Sequence, residues 1–206
     1  MKDSHERSDI VAAARSLFGR SLTHGSTGNI SVRVGDHILV TPTGSSLGAV
    51  QAEDLAVIDL QGRHVEGPKP SKEAFLHAAI LRARPDDTAV IHTHSTHSAA
   101  VSCLADLDAA DALPPLTAYF VMRIGRLPLL PYHAPGDPSL EQLAERTAVD
   151  HRAQLLSNHG PVVAGPSLQA ALDGLEEIEE TAKLFLLLQG YPVRPLSEKE
   201  AAALRA

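Results

Sequence analysis

The chain has 206 residues, which suits one globular domain over 1–206 able to bury about 70% of the surface its unfolded form exposes. Hydrophobic residues make up 44% and charged residues 21%, close to the soluble average, which excludes a disordered or fibrous chain. The formal charge of −7 argues against general nucleic-acid binding, which needs excess Lys and Arg to displace counterions from phosphates, so an anionic ligand must be held by local groups.

Cys103 is the only cysteine. No intramolecular disulfide can form, and a reducing compartment is expected. Within "AAVSCLADL" Cys103 reads as helix core. The N-terminal "MKDSHERSDI" lacks a signal peptide's apolar stretch, and no run is long enough to cross a bilayer. A cytoplasmic protein without membrane attachment is expected.

In chain order, residues 4–24 carry Ile10, Ala14, Leu17 and Phe18 at helical spacing and meet Gly25, predicting an amphipathic helix with a glycine exit. "NISVRVGDHILVTPTG" puts Ile30, Val32 and Val34 on one strand face and reverses at Gly35-Asp36, predicting a hairpin. "LAVIDLQGRHVEG" repeats the pattern with a turn at Gln61-Gly62. "SKEAFLHAAILRA" returns to helix, with Phe75, Leu76, Ala79 and Ile80 on the buried side.

"TAVIHTH" reads as a short strand, followed by a helix through "THSAAVSCLADL" with Ser95 as its cap. Residues 105–140 are mixed, with "GRLPLLPY" the one clear extended piece. "AQLLSNHGPVVAG" predicts a hairpin turning at Asn158, His159 and Gly160, and Ser167 to Gln189 form a long helix ended by Gly190 and Pro192. Because the strands come largely as hairpins, the expected fold is a three-layer α/β arrangement, a mainly antiparallel sheet flanked by helices.

Three histidines fall within six residues in "VIHTHSTHS". On a strand, positions i and i+2 share a face, so His92 and His94 project together as a two-histidine metal clip would. With 11 histidines in the chain, chance alone pairs some this way, and a third ligand has to decide. His159 is the candidate, since "SNHGPVVAG" presents it in a tight turn between apolar strands. Three neutral imidazoles with an open position suit catalytic zinc, one per subunit, or another first-row divalent ion. His97 is left open.

"GPKPSKEAFLH" places Glu73 in the first turn of a helix with Ser71 as N-cap and Lys72 beside it, where unpaired amides and the helix dipole favour anions. On local sequence alone, Glu73 is better explained by complementing that dipole or by pairing with His77. "HGSTGNIS" and "TPTGSSLG" are either anion cradles of backbone amides and hydroxyls or ordinary turns, and neither carries a Walker or Rossmann fingerprint.

The succession "STGNISVR", "TPTGSSLG", "KPSKEAFLH", "VIHTHSTHS" and "NHGPVVAG" resembles the class II aldolase family typified by fuculose-phosphate aldolase and ribulose-phosphate 4-epimerase, over about residues 8 to 190. The resemblance implies a homotetramer with sites between subunits and zinc on His92, His94 and His159. It makes Glu73 the acid/base that also ligates the metal when the site is empty, and puts the substrate phosphate on Gly28, Asn29, Thr43, Gly44 and Ser71. Lys72 stands where the aldolases and epimerases carry a second serine, a departure that alters phosphate contacts or reads an additional carboxylate. The resemblance also suggests Tyr119 as a second proton donor reaching a neighbouring subunit's site, the alternative being a packed interface aromatic.

Within the family, "KPSKEAFLH", "NHGPVVAG" and the central segment from "HSTHSAAVS" to "GRLPLLPY" resemble the 3-oxo-tetronate 4-phosphate decarboxylases. The implied substrate is a phosphorylated four-carbon sugar acid, and the implied products are dihydroxyacetone phosphate and carbon dioxide. Burial near a phosphate is expected to raise the pKa of Glu73 and zinc to oppose that rise. The rival readings are a sugar-phosphate aldolase or 4-epimerase, a dehydratase of a methylthio-sugar phosphate, and an adducin-like assembly module without catalysis.

Overall fold

The computed structural model describes residues 3–205; the outermost residues of the expected 1–206 domain, 1, 2 and 206, lie outside the described residues. Eight strands form one sheet: β1 (Asn29–Val34), β2 (His37–Val40), β3 (Ala56–Asp59), β4 (His64–Glu66), β5 (Ala89–His92), β6 (Leu129–Leu130), β7 (Ala153–Leu156) and β8 (Gly160–Gly165), in the order β4-β3-β2-β1-β5-β8-β7-β6. Every neighbouring pair is antiparallel except β6 with β7. The three predicted hairpins and the mainly antiparallel sheet are as expected.

Alternation along the strands divides the core in two. Ile30, Val32, Leu39, Val57, Ile91 and Val163 face one layer, made by α1 (Ser4–Gly19), α3 (Thr96–Ser102), α4 (Ala118–Arg123) and α6 (Leu168–Leu187). Ile38, Val40, Ile58, Val90 and Val162 face the other, made by α2 (Ala74–Ala83) and α5 (Glu141–Asp150). Central strands are thus covered on both sides, which is why "AVI" reads as an unbroken apolar run before His92. A last helix, α7 (Glu198–Leu204), starts from a capping box of Ser197 and Glu200. Among the described residues no helix is long and apolar enough to cross a membrane.

Several expectations are corrected. Helix α1 stops at Gly19, not residue 24: Ser21 takes φ 60, its N–H bonds Phe18 O and that of Leu22 bonds Leu17 O, a left-handed C-terminal closure usually built on glycine. Phe18 is 41% exposed; its ring lies on Gly48, where a Cβ would come within 2.5 Å of it. Helix α2 begins one residue after Glu73, which occupies the N-cap position, while Ser71 Oγ accepts the Glu73 N–H at 3.3 Å. Helix α3 ends at Ser102, so Cys103 is exposed at its C-cap and not in the core. Helices α4, α5 and α7 were not anticipated; α5 buries only the small Ala144 and Ala148 against the sheet, so its apolar periodicity is faint.

Candidate metal centre and substrate cleft

The site gathers at one end of the central strands. Cross-strand pairing sets Asn29 of β1 and Val162 of β8 on either side of His92, the last residue of β5. The strand ends there, so His94 lies two residues beyond it rather than on it. His159 projects from the β7–β8 turn, where Asn158 adopts φ 55. Gly160 follows so close to β5 that a Cβ would lie 2.2 Å from Thr93 O. Backbone contact therefore locks the His159 turn against the segment carrying His92 and His94.

The three Nε2 atoms converge. His94 Nε2 is 3.1 Å from that of His92 and 2.9 Å from that of His159, and one nitrogen from each ring lies within 4.8 Å of the others. His92 Nδ1 is 2.9 Å from Pro161 O. A carbonyl only accepts, so Nδ1 carries a proton and Nε2 faces the cluster. Burial, with repulsion from His92 and His159, lowers His94 to about 3; burial and His92 lower His159 to about 4. Three imidazole nitrogens aimed at one point fit a divalent cation.

Glu73 lies beside this cluster and is buried. Its Oε2 is 3.5 Å from His92 Nε2 and its Oε1 3.4 Å from His159 Nε2, and Asn29 Nδ2 donates to Oε2 at 2.9 Å. Burial pushes the carboxyl up, but His92, the Asn29 amide, His159 and His77 together outweigh it and hold Glu73 at about 2. With these neighbours Glu73 stands as a carboxylate. His77 does not pair with it directly: its Nδ1 meets Ser31 Oγ at 2.7 Å.

An open cleft of about 230 Å³ leads to the cluster. Its walls bring together Gly28, Asn29, Thr43, Gly44, Ser71 and Lys72 with Glu73, His94 and His159. Gly28 and Gly44 have φ of 80 and 72, and a Cβ on Gly28 would meet His92 O at 2.9 Å, so the chain can pass so close only as glycine. Lys72 is the one Lys or Arg lining the cleft among the described residues. Asn29 Nδ2 bonds Glu73, a contact not anticipated from sequence, while its buried Oδ1 has no partner.

Other residues fall elsewhere. Tyr119 on α4 is 61% exposed, lies under the Arg123 guanidinium at 5.6 Å, and does not line the cleft of its own chain. His97 turns away to Glu179, its Nδ1 2.8 Å from Oε1. The cleft also includes Ser26, Thr27 and Pro135. The first two lie in the hydroxyl-rich "HGSTGNIS" turn and were legible as part of it; nothing local distinguished Pro135, brought in by the loop after β6.

A central antiparallel sheet between helices, with three convergent histidines and a carboxylate at the strand ends, defines a class of protein, and residues 8–186 match the Class II Aldolase and Adducin N-terminal domain. The chain belongs to that family. It is 45% identical to the 3-oxo-tetronate 4-phosphate decarboxylase of Haemophilus influenzae over 201 residues, 97% of this chain and 96% of that one. It is 40% identical to the L-fuculose phosphate aldolase of Methanocaldococcus jannaschii over 183 residues, 88% and 96% of the two chains. The crystal structure of YgbL from Escherichia coli superposes with a TM-score of 0.96 at 44% identity, covering 98% of this chain and 99% of that one.

Proposed function

We propose that the protein is a metal-dependent carbon–carbon lyase that converts a 3-oxo-tetronate 4-phosphate to dihydroxyacetone phosphate and carbon dioxide. The observation that carries this reading is the meeting of His92, His94, His159 and the Glu73 carboxylate at the end of a hydroxyl- and glycine-lined cleft, in a chain 45% identical to decarboxylases of that name. The reading includes a single cytoplasmic domain that assembles as a homotetramer, with Tyr119 reaching a neighbouring subunit's cleft or packing in the interface.

His92, His94 and His159 would hold zinc, or another first-row divalent ion, and the ion would supply Lewis-acid stabilisation of charge developing on substrate oxygens. Around it the protein's own groups bind, orient and move a proton. Gly28, Asn29, Thr43, Gly44 and Ser71 hold the phosphate through backbone amides and hydroxyls, with Lys72 adding a full positive charge. The C1–C2 bond breaks, carbon dioxide leaves, and the electron pair passes into the C3 carbonyl to give an enediolate. Glu73 then delivers a proton to C2, completing dihydroxyacetone phosphate. Glu73 begins as a carboxylate and must take that proton from water as the substrate binds, when the substrate's two anionic groups raise its proton affinity. Asn29 holds the carboxylate in place through Oε2.

The 40% identity to an L-fuculose phosphate aldolase favours one second reading, since retro-aldol cleavage forms a similar enediolate with an aldehyde leaving. Comparing kcat/KM for 3-oxo-tetronate 4-phosphate and L-fuculose 1-phosphate separates them: the decarboxylase reading expects the first to be preferred by orders of magnitude, and the reverse ratio would replace it by the aldolase.

A further inference from the structure

Glu179 is 5% exposed, on the sheet-facing side of α6, and the proposed reaction gives it no task. Its carboxylate receives four hydrogen bonds, all from the start of α3. Oε1 accepts from His97 N at 2.9 Å and from His97 Nδ1 at 2.8 Å; Oε2 accepts from Ser98 N at 2.9 Å and Ser98 Oγ at 2.7 Å. Ser95, in the N-cap position, makes no capping bond, and its buried Oγ has no partner. The free amides of α3 are thus capped by a side chain of another helix, three residues past His94. A carboxylate on the apolar stripe of α6 is costly unless its partners are fixed, and these hold it ionised: burial raises its pKa, but the Ser98 and His97 donors outweigh burial and lower it.

The other end of α3 reaches the third histidine. Ser102 Oγ accepts the His159 N–H at 3.1 Å, and Ser102 O accepts the Asn158 N–H at 3.0 Å. Helix α3 is therefore fastened to α6 just after His94 and to the His159 turn at its last residue.

Resting on the metal-centre reading above, we infer that α3 is a strut setting the spacing of His94 and His159, and that Glu179 and Ser102 are positioning residues for metal binding. Neither touches substrate. Glu179→Gln keeps size and shape but replaces one acceptor by an amide facing donors; Ser102→Ala removes only the hydroxyl that receives the His159 amide. Groups that orient ligands in this indirect way typically change metal affinity about 10- to 100-fold when altered.

The test titrates metal-free wild type, Glu179→Gln, Ser102→Ala and the control Ile178→Val with zinc against a chromogenic chelator, and records the visible spectrum of each cobalt(II)-loaded protein. Folding is checked by circular dichroism. The inference expects weaker zinc binding by about 10- to 100-fold in both positioning variants, an altered cobalt spectrum in at least one, and no change for Ile178→Val, which thins the core face of the same helix. If Glu179→Gln fails to fold, Ser102→Ala decides. Wild-type zinc affinity and an unchanged cobalt spectrum in the folded positioning variants would overturn the inference while leaving the metal centre standing. Failure of the wild type itself to bind would instead remove the metal centre.

Discussion

At the scale of single residues, the proposed reaction divides the labour between His94, which would hold the ion, and Glu73, which would move the proton. His94 Nε2 is the nitrogen near both other rings, so His94→Ala is expected to abolish metal retention and turnover together, read by metal analysis after gel filtration. Glu73→Gln keeps the Asn29 contact through its remaining oxygen and should stay folded, while turnover falls by about 10²- to 10⁴-fold. Near-normal turnover in that variant would end the acid/base assignment. The carboxylate's low pKa was not readable locally, because it depends on His92 and Asn29, which come from two other strands. The bland sequence reading, a first-turn acid or a partner of His77, fails for the same reason: the fold gives Glu73 nearer partners.

At the scale of elements, close backbone approach builds the site. Gly160→Ala would press a Cβ to 2.2 Å of Thr93 O, forcing the β7–β8 turn away from β5. A loss of stability of about 1 to 3 kcal/mol is expected in urea unfolding, together with weaker metal binding; unchanged values for both would mean that the turn yields freely. The hairpins and the helices α2 and α6 were legible because their apolar periodicity is strong and their turns carry Gly or Asn. What stayed illegible was non-local. Helix α1 closes on Ser21 in the left-handed region instead of a glycine, and the only residues α5 fully buries are alanines. Ser95 looked like a cap, but Glu179, 84 positions later in the chain, does the capping. A carboxylate in register with Leu175, Ile178 and Ala182 on the apolar side of α6 was nevertheless a visible signal that α6 holds a partner.

At the scale of the whole molecule, stability is tied to keeping buried imidazoles neutral. His77 is fully buried and held to about 3 by burial and by His92, from an ordinary value of 6.5. Between those values the unfolded chain binds its proton and the folded chain does not. Its contribution is therefore complete above 6.5 and is lost progressively as the pH falls towards 3, by about 1.4 kcal/mol per pH unit for one such proton. Urea midpoints of the metal-free protein should drop between pH 7 and 5, and drop less in His77→Asn; equal drops would contradict the assignment. The chain is acidic, with a net charge of −7, and the proposed anionic substrate would instead meet the local hydroxyls, glycine backbone and Lys72 that line the cleft beside the histidine cluster. The most direct measurement is the release of carbon dioxide and dihydroxyacetone phosphate from 3-oxo-tetronate 4-phosphate, with and without a chelator. Equal amounts of both products, lost on chelation and restored by zinc, are predicted; a folded, metal-loaded protein that releases neither would contradict the decarboxylase reading.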